Sequence, residues 1–182
     1  DDAHGVELWK SDGTAAGTVL VKDIRSGSNS SFPQFLVNVA GTLFFLANDG
    51  VSGTELWKSD GTSGGTGLVK DLRPGSAGSF LTNMTSVGGT LFFTFDDGVT
   101  GSELWKSDGT AGGTGLVKDT CPGSAGSGPT QLTSAAGALC FVAYGVGTAY
   151  ELWKSDGTEA GTVLVKDIRA GIAGSSIFSL TA

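Results

Sequence analysis

The chain is poor in the residues from which most active sites are made. Among 182 residues there is one histidine, His4, and there are two cysteines, Cys121 and Cys140. A single histidine excludes a His-rich zinc centre and leaves any His-dependent triad resting on one residue. G-x-S-x-G, P-loop and H-E-x-x-H motifs are all missing. Two cysteines are too few for a disulfide scaffold. Positive charge is scarce as well, with 11 Lys and Arg against 18 Asp and Glu, a net charge of −7. The basic residues are scattered beside acidic ones, so no stripe exists for nucleic acid or anionic lipid. No apolar run reaches the ~18 residues that would cross a membrane as a helix. Nor does an i, i+3, i+4, i+7 stripe persist anywhere, which argues against helices altogether.

What the chain has is glycine, 31 residues of it, and a repeat. The octapeptide Glu-Leu-Trp-Lys-Ser-Asp-Gly-Thr occurs four times without substitution, at residues 7–14, 55–62, 103–110 and 151–158. The spacing is 48 residues each time. A fixed period in the range of about 20–50 residues marks a repeat architecture. The second copy is the clearest: Ser31 to Ala40, Thr42 to Ala47, Glu55 to Asp60 and Thr66 to Leu72 are short apolar-containing segments separated by Gly, Asn, Asp or Pro. Segments of about 5–8 residues bounded by turn formers predict four β-strands per unit. Thr42 to Ala47 (TLFFLA) hardly alternates, which suits a strand covered on both faces. In the Asp60-Gly61-Thr62 turn, glycine tolerates positive φ, and the aspartate and threonine side chains can bond nearby backbone N–H groups. Arg73 to Gly78 (RPGSAG) reads as a crossover loop.

A four-stranded antiparallel meander followed by a longer return is a propeller blade, so the expected fold is an all-β β-propeller of 48-residue blades. Residues 1–182 then form a single domain. The N-terminus enters at a third strand, and residues 175–182 are expected to be a first strand that completes the N-terminal blade. Four units would take 192 residues, ten more than the chain has. Two architectures remain open, a four-bladed ring with an incomplete closing blade, or half of a larger ring completed by a second copy, with a slight preference for the latter. The start at Asp1, partway through a unit, is expected to reflect processing or a longer parent protein.

Trp9, Trp57, Trp105 and Trp153 lie on the third strands. A regular set of indoles invites a lectin reading, but packing between blades is favoured, each N–H then needing a partner. Asp12, Asp60, Asp108 and Asp156 belong to the repeated turn. Glu7, Lys10, Asp12, Lys22, Asp23 and their counterparts are expected to pair across strands at roughly 0.2–1 kcal/mol each. The same acidic set recurs in every copy, so no unit carries a unique acid or base, and an enzyme is not expected. The links between second and third strands are acidic: Asp1-Asp2, Asn48-Asp49-Gly50 and Asp96-Asp97-Gly98. Asn48, Asp49, Asp96 and Asp97 are therefore the candidate ligand-binding residues. Calcium at Asp49, Asp96 and Asp97 is a weaker expectation, because the full D-x-[DN]-x-[DN]-G spacing is absent and Asn/Asp-Gly is ordinary turn chemistry. No other cofactor is expected. Cys121 replaces the Arg25, Arg73 and Arg169 of the other copies, and Cys140 replaces Phe44 and Phe92. Two independent substitutions, or a disulfide between neighbouring repeats in an oxidising compartment, both fit.

With these residues on the page, the chain resembles the bacterial ELWxxDGT repeat family. The match runs through Glu55 to Thr62, Gly65-Thr66, Leu68 to Asp71 and Leu91 to Phe93, and covers essentially the whole chain. The resemblance implies an extracellular or cell-surface, propeller-like protein, and it transfers no catalytic residue. The fourth unit departs from it at Ala138 to Phe141 and at Tyr144 to Gly147. The expected function is a secreted binding module, multivalent for carbohydrate or a surface protein through its repeated loops. The alternative is a purely structural adhesin or coat repeat. Expected partners are a glycan or surface protein and a second copy completing a ring, without nucleic acid or a membrane span.

Overall fold

A computed structural model describes residues 1–76, 78–171 and 174–181. Among them there are fourteen β-strands and no helix, so none is long and apolar enough to cross a membrane. The chain divides into two compact units, Asp1–Phe80 and Leu81–Ala182.

The first unit holds a two-stranded and a four-stranded sheet. β1 (Leu8–Lys10) pairs with β2 (Val19–Lys22), and β3 (Gln34–Val39), β4 (Thr42–Asn48), β5 (Thr54–Ser59) and β6 (Gly67–Lys70) follow in sheet order. The second unit holds two four-stranded sheets: β7 (Thr82–Val87), β8 (Thr90–Asp96), β9 (Ser102–Ser107) and β10 (Gly115–Lys118), then β11 (Thr130–Ala135), β12 (Ala138–Gly145), β13 (Ala149–Ser155) and β14 (Val163–Lys166). Every neighbour is antiparallel and sequential, as the 48-residue meander requires. In each complete sheet a phenylalanine on the second strand faces the tryptophan on the third: Phe45 with Trp57, Phe93 with Trp105, Phe141 with Trp153.

Local chemistry explains the turns. The first hairpin of each complete sheet has two central residues at positive φ, Ala40-Gly41, Gly88-Gly89 and Ala136-Gly137. That is the two-residue turn whose twist matches the strands it joins. In the second hairpin, Asp60 Oδ1 accepts from the Thr62 N–H (2.8 Å) and hydroxyl (2.7 Å), and Thr62 Oγ1 accepts from the Gly65 N–H (2.9 Å). Asp12, Asp108 and Asp156 do the same with Thr14, Thr110 and Thr158. The first strands carry a bulge absent from the expectation: the register slips between Gln34 and Val37, Thr82 and Thr85, Thr130 and Thr133. Phe35, Asn83 and Gln131 there take φ of 53–54°.

Among the described residues, each unit contains a sheet-on-sheet core. In the first, Leu8, Val21 and Ile24 pack against Phe45, Ala47 and Trp57. In the second, Leu104 and Val117 pack with Phe141, Ala143 and Trp153. The consecutive burial of Phe44, Phe45, Leu46 and Ala47 follows, since β4 is covered on both faces. Of the strand expected at 175–182 to close the N-terminal blade, residues 175–181 join no sheet among the described residues. They run beside β11, where Gln131 Nε2 donates to the Ile177 carbonyl (2.7 Å) and Thr133 Oγ1 to that of Leu180 (3.3 Å). Asn83 and Thr85 hold the start of β11 to β7 in the same way, donating to Pro129 and Leu132. Ala182, the last residue of that expected strand, and Ala77, within the expected crossover loop, lie outside the described residues.

Candidate functional site

Among the described residues, Glu7, Lys10, Asp12 and Lys22 are not joined by the cross-strand ion pairs expected of them. They bind backbone instead. Lys10 Nζ donates to the Gly61 carbonyl (2.8 Å) and Lys22 Nζ to that of Thr66 (2.8 Å). In the second unit Lys106 reaches Gly157 (2.7 Å) and Lys118 reaches Thr162 (2.9 Å). Third- and fourth-strand lysines thus tie each sheet to the turns of the one after it, within each unit. Glu7, Glu55, Glu103 and Glu151 are buried. Glu103 accepts from the N–H groups of Thr120, Cys121 and Ser127 and from the Ser127 hydroxyl. Glu7 binds Ile24, Arg25 and Ser31 likewise, and Glu55 and Glu151 each bind a crossover N–H and a serine, Ser79 or Ser175. The serine is always 24 residues beyond its glutamate. Those two invariant positions were visible in the sequence, and their offset was the signal that cross-strand reasoning passed over.

This clamp fixes the crossover loop against the link between second and third strands, putting both at one end of the sheets. A Cβ on Gly53 would meet the backbone of Gly78 at 2.6 Å, and one on Gly101 would meet Gly126 at 2.5 Å. Such close backbone contact admits only glycine. The candidate residues lie on this rim. Asn48 Oδ1 accepts from Gly50 N–H (2.7 Å), and Asp49 Oδ1 from Val51 (2.8 Å) and Ser52 (2.7 Å). In the second unit Asp96 accepts from Gly98 (2.8 Å), and Asp97 from Val99 (2.8 Å) and Thr100 (2.7 Å). The two loops therefore share one geometry, each lifting an exposed valine, Val51 or Val99, at its tip. Arg25 lies against Gly50, so the first unit's rim sets a guanidinium beside the acidic link. In the last sheet the link is a tight turn, with the Thr148 N–H on the Gly145 carbonyl (3.1 Å) and Tyr144 edge-on to Tyr150.

The calcium expectation meets a different use of the same oxygens. Asp49 and Asp97 turn theirs onto their own loops, and no three His, Cys, Asp or Glu converge on an ion position among the described residues. Trp57, Trp105 and Trp153 are buried while Trp9 is 41% exposed, and among the described residues only the Trp153 N–H has a partner, the Ala143 carbonyl at 3.1 Å. The buried N–H groups of Trp57 and Trp105 have none among the described residues. Cys121 and Cys140 are both free thiols. Burial pushes the Cys121 thiol up, and the charges of Glu103 and Asp119 add to the effect, so it stays protonated and unreactive near neutrality. The cavities include hollows of about 400 Å³ beside Lys58 and Asp60 and about 300 Å³ beside Lys154 and Asp156. One of about 190 Å³ lies between β1 and the β3–β6 sheet and is lined by Trp9, Lys10, Asn38 and Asp60, and another of about 130 Å³ is lined by Thr90, Phe92 and Asp156.

Titration separates two carboxylate classes. Burial is the largest influence on Glu55 and Glu103 and raises both, against the hydrogen bonds they accept. Threonine hydrogen bonds lower Asp12, Asp60 and Asp156. At Asp97 burial would raise the carboxyl, but the bonds from Thr100 and Val99 together outweigh it and lower it. A raised folded pKa contributes stability that is full below the unfolded value and is lost as pH rises through the folded one. A lowered pKa contributes stability present above the unfolded value and lost as pH falls through the folded one. Melting temperature is therefore expected to climb as pH falls through the raised glutamate range, then drop below about pH 4, where free aspartate titrates. Glu103→Gln should flatten the climb and Asp60→Asn the drop, as calorimetry across pH would record. A wild-type melting temperature that only falls on acidification would contradict this.

Compared with known proteins, the chain matches no protein-family model and no curated protein.

Proposed function

We propose that this chain is a secreted or cell-surface binding module that recognises a repetitive partner, a glycan or a surface protein, through its rim loops, and that its sheets are blades of a propeller. The observation that carries the reading is the duplicate geometry of the Asn48–Thr54 and Asp96–Ser102 links. Each is braced by its own aspartate, buttressed by a crossover loop and tipped by an exposed valine. Rigid, repeated, outward-facing loops give avidity toward repeated epitopes without a deep pocket. Function by chemistry is not part of this reading, and His4 lies in the N-terminal turn against Asp1. A second copy completing a ring is part of it.

A glycan array tests the module. Saturable binding is expected, and Asp49→Ala with Asp97→Ala should weaken it on the order of 100-fold as the multivalent contribution is lost. A silent array with concentration-dependent assembly would instead favour a structural repeat. The use of Asp49, Asp96 and Asp97 within their own turns is the observation on that side.

A further inference from the structure

The core interface recurs inside each unit, and its two halves are left exposed on the β13–β14 sheet and on the β1–β2 sheet. Val21 of β2 and Val117 of β10 are 6% exposed beneath the next sheet, whereas the corresponding Val165 of β14 is 47% exposed. Ile24 is buried, but its counterpart Ile168 is 54% exposed. Leu8 and Leu104 are buried, and Leu152 is only partly so. The receiving half shows the same contrast, for Trp57 and Trp153 are buried in their cores while Trp9 is 41% exposed. The polar ties follow suit. Lys10 and Lys106 reach the carbonyls of Gly61 and Gly157. Their charges lie close enough to help lower Asp60 and Asp156. Lys154 and Lys166 are exposed on the β13–β14 sheet, and Asp12, Gly13 and Thr18 form an unmatched turn beside β1 and β2.

The geometry points to head-to-tail self-association, in which the Leu152–Val165–Ile168 face of one copy docks on the Trp9 face of another, with Lys154 and Lys166 directed at its 12–18 turn. The occupant is a second copy because this chain already makes the contact twice, with the same residue types at the same 48-residue offsets. Charge complementarity points the same way, as two lysines face a turn headed by Asp12. The interface is heterologous, so it propagates or closes by rotation instead of pairing like with like. It deepens the second-copy part of the proposed function and is independent of any glycan.

Light scattering and sedimentation across concentration should show wild-type association. Val165→Asp with Ile168→Asp changes exposed residues only and should give folded monomers, with Trp9→Ala doing the same from the opposite face. Mixing the two variants should restore a one-to-one dimer, since each keeps one intact half. Carbodiimide coupling of mixed 15N-labelled and unlabelled wild-type protein should link Lys154 to Asp12 between copies, which serves if Trp9→Ala unfolds. Monomeric wild-type protein, association that survives the variants, a mixture that stays monomeric, or lysine–Asp12 links only within copies would each overturn the proposal. Glycan binding by a strictly monomeric protein would overturn it alone and leave the ligand reading intact.

Discussion

Replacing Glu103 by alanine is expected to cost on the order of 3–4 kcal/mol in urea unfolding, more than any single surface change in the chain. The side chain is fully buried and accepts from three backbone N–H groups and one hydroxyl. Alanine leaves those donors without an acceptor, and a buried donor left unpaired costs about 1–3 kcal/mol before water relieves part of it. Ser127→Ala removes one bond and retains the carboxylate, so about 1 kcal/mol is expected. A Glu103→Ala cost no larger than that of Ser127→Ala would mean the carboxylate is not what holds the crossover.

Phe141→Ala is expected to cost about 3–5 kcal/mol, the range for emptying a fully buried aromatic site. Phe141 is completely covered, pairs across the sheet with Trp153 and shares its core with Leu104 and Val117 of the neighbouring sheet. Collapse around the void is opposed by the two sheets that line this core. Phe178→Ala, at a site 80% exposed, should stay within about 0.5 kcal/mol. Native-state hydrogen exchange should place the loss in residues 81–181. Equal costs at Phe141 and Phe178 would contradict the burial of Phe141 between the two sheets.

Strand order and hairpin chemistry were legible because they are local. Ala40-Gly41, Asp60-Gly61-Thr62 and the apolar run of β4 each carry their geometry within a few residues. The bulge at Phe35 was not legible, since a bulky residue at positive φ contradicts its own preference and is held there by pairing with β4. The role of the charges was missed for a related reason. Glu55 and Lys70 look like facing partners on adjacent strands, but burial removes the glutamate from water beside the free N–H of Leu72, which is the better partner. Of the candidate residues, their place on the links was legible and the use of their oxygens was not. Nothing in Asn48-Asp49-Gly50 distinguishes an aspartate turned outward from one folded back onto Val51 and Ser52.

The glutamate–serine clamp bears on how such a chain can change length. Its two halves stand in successive copies, one before the crossover and one after, so the seam between copies carries its own fastening. Excising or duplicating any exact multiple of 48 residues would restore a complete fastening at the new seam, whereas a slip of even one residue would break it. Copy number is thus the variable that tandem duplication of the gene can alter freely, with phase held fixed.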